Sequence, residues 1–418
     1  MKKYLSLFFA ALLCVMMAVA VSAADVYVKE GGAGDGSSAE SPLGSLTAAI
    51  YAVENGGTIH IIDTFTQTEE FTEPEHAGDI VITGGEIVYN TNTWNRYILS
   101  GPGSTTFENV TITAADPSKG LVMAAQFNPI IIGEGVTTPT KTYLLGGHQL
   151  DNMGTDTEVL MAEKGMALDK DSYVTVKSGT FHVVSGYSRG ASTAMYTGTS
   201  HLDIQGGTIN LLLGGPCNGS AGQNAEINVS GGTVTELMTA GDDTRRLNGD
   251  CTVNISGGKI FTFTICNIMG RGTVNYTGGE IVQVMERMVA DRLLEYVTDG
   301  TIHLNVDPSI DAGLISLYFD TVNGESPFVA TEAPETTEAP AETTEAPVET
   351  TEAPVETTEE VEETEEEPEK TEAPVETTTA APAATTEEGG APVGLIIGIV
   401  AAVVVVAAVV FVVTKKKK

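Results

Sequence analysis

Basic residues are scarce in this chain of 418: 21 Lys and Arg stand against 56 Asp and Glu, a formal net charge of −35. Four of the 21 are its last four residues. No basic stripe is left to displace phosphate counterions, which excludes nucleic acid as a partner. Cysteine is almost missing as well. Of four, Cys14 falls in a leader that is expected to be removed, leaving Cys217, Cys251 and Cys266, an odd number without a disulfide framework. There is one tryptophan and 6% aromatics overall, so exposed ring platforms for sugars are few. Zinc spacings, phosphate loops and nucleophile elbows are all absent, and no cofactor or metal is expected.

What the chain does have is a repeated line. Leu202-Asp-Ile204-Gln-Gly206-Gly207-Thr-Ile209 returns as Ile227-Asn-Val229-Ser-Gly231-Gly232-Thr-Val234 and as Val253-Asn-Ile255-Ser-Gly257-Gly258-Lys-Ile260. Val274-Asn-Tyr276-Thr-Gly278-Gly279-Glu-Ile281 is a fourth copy, and looser ones lie at Ile80 to Ile87, Val174 to Phe181 and Val297 to Ile302. Apolar residues two apart belong on one face of a strand. A glycine pair then permits a sharp corner, and the next apolar residue opens another strand. The second glycines of the last six copies are 28, 25, 26, 21 and 21 residues apart, a period that indicates one unit stacked on itself.

A leucine-rich repeat would need its asparagine or cysteine ladder and a helical return, and neither is read here. Short strands and glycine corners favour an all-β, right-handed parallel β-helix. On these residues the region from Asp25 to about Val322 resembles secreted β-helix proteins of the pectin-lyase-like type, a match of pattern and not of catalytic motif. Two coils of about 4.8 Å would separate Cys217 from Cys266 by more than the roughly 7 Å a disulfide tolerates. Three free, buried thiols are therefore expected.

In order, Met1 to Ala23 reads as a secretory signal: Lys2 and Lys3, an apolar run, then Val21-Ser-Ala23. Residues 24–330 form the β-helix ectodomain. Within it Asp25 to Lys29 reads as a strand, Ser45 to Val53 as a helix capped by Ser45, and Thr58 to Ile62 as the next strand. That order resembles the N-terminal cap of β-helix proteins, which covers strand edges that would otherwise pair with other chains. The 94 residues from Gly85 to Gly179 lack the repeat and leave room for about four coils. Gly133 to Leu160 reads as loops or insertions, and Gln283 to Tyr296 is ambiguous between helix and coil.

Residues 331–393 change character. Thr-Glu-Ala-Pro begins at Thr331, Thr337, Thr344, Thr351 and Thr371, and Thr331 to Glu388 holds 20 Glu and one Lys, −19 of the net charge. Such a segment has little to bury and reads as a disordered stalk reaching up to about 180 Å. Residues 394–413 are uncharged and rich in Val, Ile and Ala, about 30 Å as a helix. The lysine-rich 414–418 tail follows, so the positive-inside rule makes this a single-pass cell-membrane protein of type I with an extracellular ectodomain.

The resemblance raises the question of catalysis. Polygalacturonases carry Asn-Thr-Asp, Gly-Asp-Asp, Gly-His-Gly and Arg-Ile-Lys motifs; here Gly241-Asp242-Asp243 matches the second, Arg245 and Arg246 adjoin it, and the other three are missing. Asp242, Asp243 and Arg245 are the catalytic candidates, although Asp-Asp in a glycine-bounded loop also makes an ordinary turn. Asp169, Asp171 and Asp203 lack calcium-loop spacing, and His182 and His201 read as surface or packed residues. For ligand binding, Tyr89, Trp94 and Tyr97 cluster around a polar run, Asn90 to Arg96. The expectation is adhesion or binding of an extracellular ligand, polysaccharide or a cell-surface molecule, along the solenoid's long side. A surface polysaccharide lyase or glycoside hydrolase and a structural spacer are the rival readings.

Overall fold

The computed structural model describes residues 24–91, 95–139, 141–149, 168–190, 195–217, 221–241, 246–286 and 300–327. The leader, the residues from 328 onward, the apolar stretch 394–413 and the lysine tail lie outside them. No helix among the described residues is long and apolar enough to cross a membrane.

The described chain is a right-handed parallel β-solenoid, the hand that parallel crossovers almost always take. Its first side is one parallel ladder that begins with Ala24–Val28, Gly57–Ile61, Ile80–Thr83, Thr105–Glu108 and Ile130–Ile132. It continues through Ser172–Val176, Thr199–Ile204 and Asn224–Val229 into the leading halves of Cys251–Ile265 and Gly272–Glu286. Ile302–Val306 and Thr321–Val322 end it. In the early coils a second side stacks Thr64–Gln67, Glu86–Tyr89 and Thr111–Ala114. A third stacks Phe71–Thr72, Asn95–Ile98, Leu121–Ala124 and Thr142–Leu145. From Thr180 onward single strands serve both, starting with Thr180–Ser185, whose Val183 to Ser185 pair with Tyr143 to Leu145. The later turns thus hold two strands where the earlier ones hold three. The sequence period shortens to 21 there because Gly272 pairs directly with Cys251.

The glycine doublet has two separate duties. Gly207 has φ +78°, the left-handed region that favours glycine. Gly206 has no such φ, but a Cβ there would fall on the Lys177 carbonyl oxygen of the coil beneath. One glycine turns the chain and the other lets the coils stack. Ser178, in the first-glycine place of its copy, is accommodated because its hydroxyl donates to the Gly133 carbonyl (2.6 Å) and accepts from the Val136 amide (2.8 Å).

Inside, side chains of successive coils stack by type. Ile59, Ile82, Phe107, Ile132, Val176, Ile204, Val229 and Ile255 form one continuous inward column, each fully buried or nearly so. Each such burial contributes about 1.5–3 kcal/mol. The neighbouring column runs Ile80, Thr105, Ile130, Val174, Leu202, Ile227 and Val253. Thr105 is its one polar member, and buried.

The helix spans Leu46–Ala52; Ser45 Oγ accepts from the Ala48 amide, and Leu46, Ala49 and Ile50 are buried. Several sequence expectations need correcting. Between Gly85 and Gly179 the first side advances by three steps, to Thr105–Glu108, Ile130–Ile132 and Ser172–Val176, not four. Thr142–Leu145, read as loop, is a strand. Ile302, aligned by the repeat with Ile281, instead pairs with Gly272 on the first side, because period-2 alternation looks the same on every side. Gln283–Glu286 belongs to a strand, while 287–299 lies outside the described residues.

Candidate functional site: the outward wall of the first side

Ahead of the glycine pair the first and third positions of the repeat line face inward, so the residues on either side of them must face out. From Ser172 to Val306 they make two adjacent outward columns. One runs Tyr173, His201, Glu226, Thr252, Thr273 and His303; the other runs Thr175, Asp203, Asn228, Asn254, Asn275 and Asn305. Residues repeat along each column every 4.7–4.9 Å or so, the parallel-strand spacing.

The asparagine column is internally bonded. Asn254 Nδ2 donates to Asn228 Oδ1 (2.7 Å), Asn275 Nδ2 to Asn254 Oδ1 (2.7 Å), and Asn305 Nδ2 to Asn275 Oδ1 (2.8 Å). An asparagine ladder is therefore present after all, on an outward wall and not in a leucine-rich-repeat corner. Asn254 and Asn275, the inner members, each spend one N–H and one lone pair on their neighbours and keep one of each for a ligand, while within the row Asn228 only accepts and Asn305 only donates. In the other column the rings of Tyr173 and His201 stack at 4.7 Å and 2°, and His201 Nδ1 lies 3.2 Å from a Glu226 carboxylate oxygen. Tyr173 is 46% exposed. The wall thus offers one aromatic platform and a rigid row of evenly spaced donors and acceptors. That arrangement can hydrogen-bond a polymer; it has no pair of facing carboxylates for acid–base work.

The densest titratable group lies elsewhere, inside the early coils. Glu73 and His76 are both 2% exposed. Glu73 accepts from Tyr97 Oη (2.6 Å) and from Thr105 Oγ1 (3.1 Å), and His76 Nε2 is 3.1 Å from its Oε2. His76 Nδ1 is 2.9 Å from the Gly78 carbonyl oxygen. Burial alone would lower the His76 pKa, but the Glu73 and Gly78 hydrogen bonds and the charges of Glu73 and Asp79 outweigh it and raise it. Thr105 Oγ1 is also 3.4 Å from His76 Nε2, which superficially suggests a nucleophile and its base. With every side chain sealed from solvent, no substrate reaches it.

The two tyrosines of the binding cluster expected from the sequence offer no exposed platform. Tyr89 and Tyr97 are both 0% exposed, within the core, and burial raises their pKa values well above the usual tyrosine value. Trp94 lies outside the described residues, as do Asp242, Asp243 and Arg245. The nearby Asp250 serves a corner, its Oδ1 accepting from the Arg271 amide at 2.7 Å. Asp171 accepts from the Thr199 amide (2.7 Å) and Asp203 from Gln205 Nε2 (2.7 Å). No His, Cys, Asp and Glu group suited to a metal exists among the described residues. His182 meets Tyr143 edge-on at 5.3 Å. Cys217, Cys251 and Cys266 are buried. Sequence reasoning missed Glu73, His76 and Thr105; the one available signal was a threonine standing in an apolar column. Compared with known proteins, the chain matches no family model, no curated protein and no solved structure.

Proposed function

We propose that this chain is a surface-displayed β-solenoid that binds an extended extracellular polymer, a polysaccharide in the first instance, along the outward wall of its first side. The observation that carries the reading is the bonded row Asn228–Asn254–Asn275–Asn305 beside the Tyr173–His201 stack. A preorganised row loses little entropy on binding, and a polymer engages many of its members at once. Display is supported by the sequence alone: a leader at 1–23, an acidic stalk at 331–393, and an apolar span at 394–413 followed by lysines. In this reading the helix Leu46–Ala52 caps the N-terminal end of the solenoid, and the likeness to pectin-lyase-like proteins is one of architecture.

The test presents the full-length protein, in detergent micelles, to an array of linear polysaccharides alongside a Thr252→Lys/Thr273→Lys double variant. Both threonines face outward beside the amide row, and neither is part of it. Binding by the natural protein and a loss of at least tenfold in the variant are expected. A variant that binds equally well, or a natural protein that binds no polymer, refutes the proposal. Turnover of a bound glycan would favour a surface lyase or hydrolase.

A further inference from the structure

Between Phe71 and Ile80 the only buried residues are Glu73 and His76. A surface segment is ordinarily fastened by apolar side chains; this one is fastened by an ionisable pair. Its backbone adds few bonds: Glu73 N donates to Ile98 O (2.8 Å), Ala77 N and Gly78 N to Glu54 O (both 3.0 Å), Gly103 N to His76 O (3.1 Å) and Gly57 N to Asp79 O (3.1 Å).

The hydrogen-bond geometry fixes how many protons the pair needs. The Gly78 oxygen can only accept, so His76 Nδ1 carries a hydrogen. Tyr97 and Thr105 already donate to the Glu73 carboxylate, which leaves one more proton between Nε2 and Oε2. Whether that proton rests on the ring or on the carboxyl, the pair is neutral overall. Take it away and a nitrogen lone pair faces a buried carboxylate, an uncompensated charge sealed from water. The other groups around the site offer no rescue. Asp79 lies beside it, bonded to the Ser104 amide and hydroxyl. Tyr89 and Tyr97 are neutral, and Glu54 and Glu75 line the adjoining recess with Asn55, His76, Ala77 and Pro102. Arg96, on the Tyr97 strand, is engaged by Glu70 at 3.1 Å.

We propose that the Glu73–His76 pair is a proton-operated latch, pinning segment 72–79 to the solenoid while it holds its proton and releasing that segment when the proton leaves. The coils above and below stay stacked, because Phe71, Ile80 and Phe107 are buried apolar residues that make no hydrogen bond to the pair. Release removes one wall of the surface recess of about 230 Å³ that Glu75, His76 and Ala77 now line. The sign follows from the raised His76 pKa: the stabilisation is fully present below the unfolded value and is lost as pH rises through the folded one. The latch therefore opens on the alkaline side.

Hydrogen exchange on the full-length protein from pH 6 to 9.5, corrected for the intrinsic pH dependence of exchange, tests this. Opening at the Ala77, Gly78 and Gly103 amides should grow about tenfold per pH unit above the folded pKa, the signature of one proton lost. Amides of Asn224–Val229 should not follow. In Glu73→Gln the new side-chain amide donates to a neutral imidazole, so the pH dependence should vanish; Thr105→Val keeps the pair and should keep it. Protection of Ala77 and Gly78 that stays flat to pH 9.5, that falls in step with Asn224–Val229, or that keeps its slope in Glu73→Gln overturns the proposal.

Discussion

His148 is the buried group whose protonation should be easiest to detect. It follows the Gly146–Gly147 corner, its own amide donates to Ser188 Oγ (2.7 Å), and its carbonyl accepts from the Arg189 amide (2.9 Å). The ring is packed edge-on against Phe127 at 5.3 Å, and the residue is 4% exposed. Neither ring nitrogen has a hydrogen-bond partner. Burial, with a smaller push from the Lys170 charge, takes its pKa down to about 4. An unfolded histidine titrates near 6.5. Between those values the unfolded chain binds a proton that the folded chain refuses, so stability is full above pH 6.5 and is lost as pH falls through 4. A gap of that size is worth about 3 kcal/mol. The comparison is natural protein against His148→Phe, by urea unfolding of the full-length chain at pH 7 and pH 4. Phenylalanine cannot titrate and leaves no orphaned nitrogen, so the variant should match or exceed the natural protein at pH 7. At pH 4 its advantage should widen by about 3 kcal/mol. Asp35, Asp79, Asp116 and Asp307, whose carboxyls are held low chiefly by serine side-chain hydrogen bonds, also make the fold acid-sensitive. They are common to both proteins and cancel in the difference. A difference that stays constant from pH 7 to pH 4, or a His148 ring that titrates near 6.5 by NMR, would refute the reasoning.

Gly207→Ala forces a Cβ onto a φ of +78° and to 2.9 Å from the Ser178 carbonyl oxygen; it should cost about 2 kcal/mol or more in unfolding free energy, and a neutral result would remove the corner argument. Asn254→Ala breaks two ladder bonds in a part-buried row, which should cost about 1–2 kcal/mol, read from the shift in urea midpoint. Cys251 is buried and its thiol pKa is pushed well up by burial, then by the charges of Cys266 and Asp250. It should resist iodoacetamide in the native protein for hours and label promptly in urea, as peptide mass spectrometry would record; rapid native labelling would contradict its placement.

The parts of this fold that could be read from the sequence are those enforced locally and repeatedly. A glycine doublet is visible because each coil must turn and must also leave room for the coil beside it, so Gly206–Gly207 and its successors recur as written words. Inward and outward positions follow from strict alternation, which puts Ile204, Val229 and Ile255 on the inner face. Alternation does not say which side of the solenoid a strand occupies, so Ile302 aligns in sequence with Ile281 and yet pairs with Gly272 on the first side. The polar run before Tyr97 misled for a different reason. Thr91 and Asn95 are buried, with Thr91 Oγ1 donating to Asn95 Oδ1 (2.9 Å) within the run and Asn95 Nδ2 donating to the Gly120 carbonyl (2.9 Å), a partner supplied by the next coil. A polar residue satisfied across coils is indistinguishable in sequence from one satisfied by water, so a core tyrosine flanked by such residues passes for an exposed one. The same holds for Glu73 and Thr105, which lie 32 residues apart and meet only because one coil stacks on another. In a solenoid, then, the repeat declares the architecture, while the departures from the repeat declare the individual chemistry, and each departure can be interpreted only once the register of neighbouring coils is known. Thr105 is the clearest instance: an unremarkable threonine in the chain, it becomes conspicuous when set between Ile80 and Ile130.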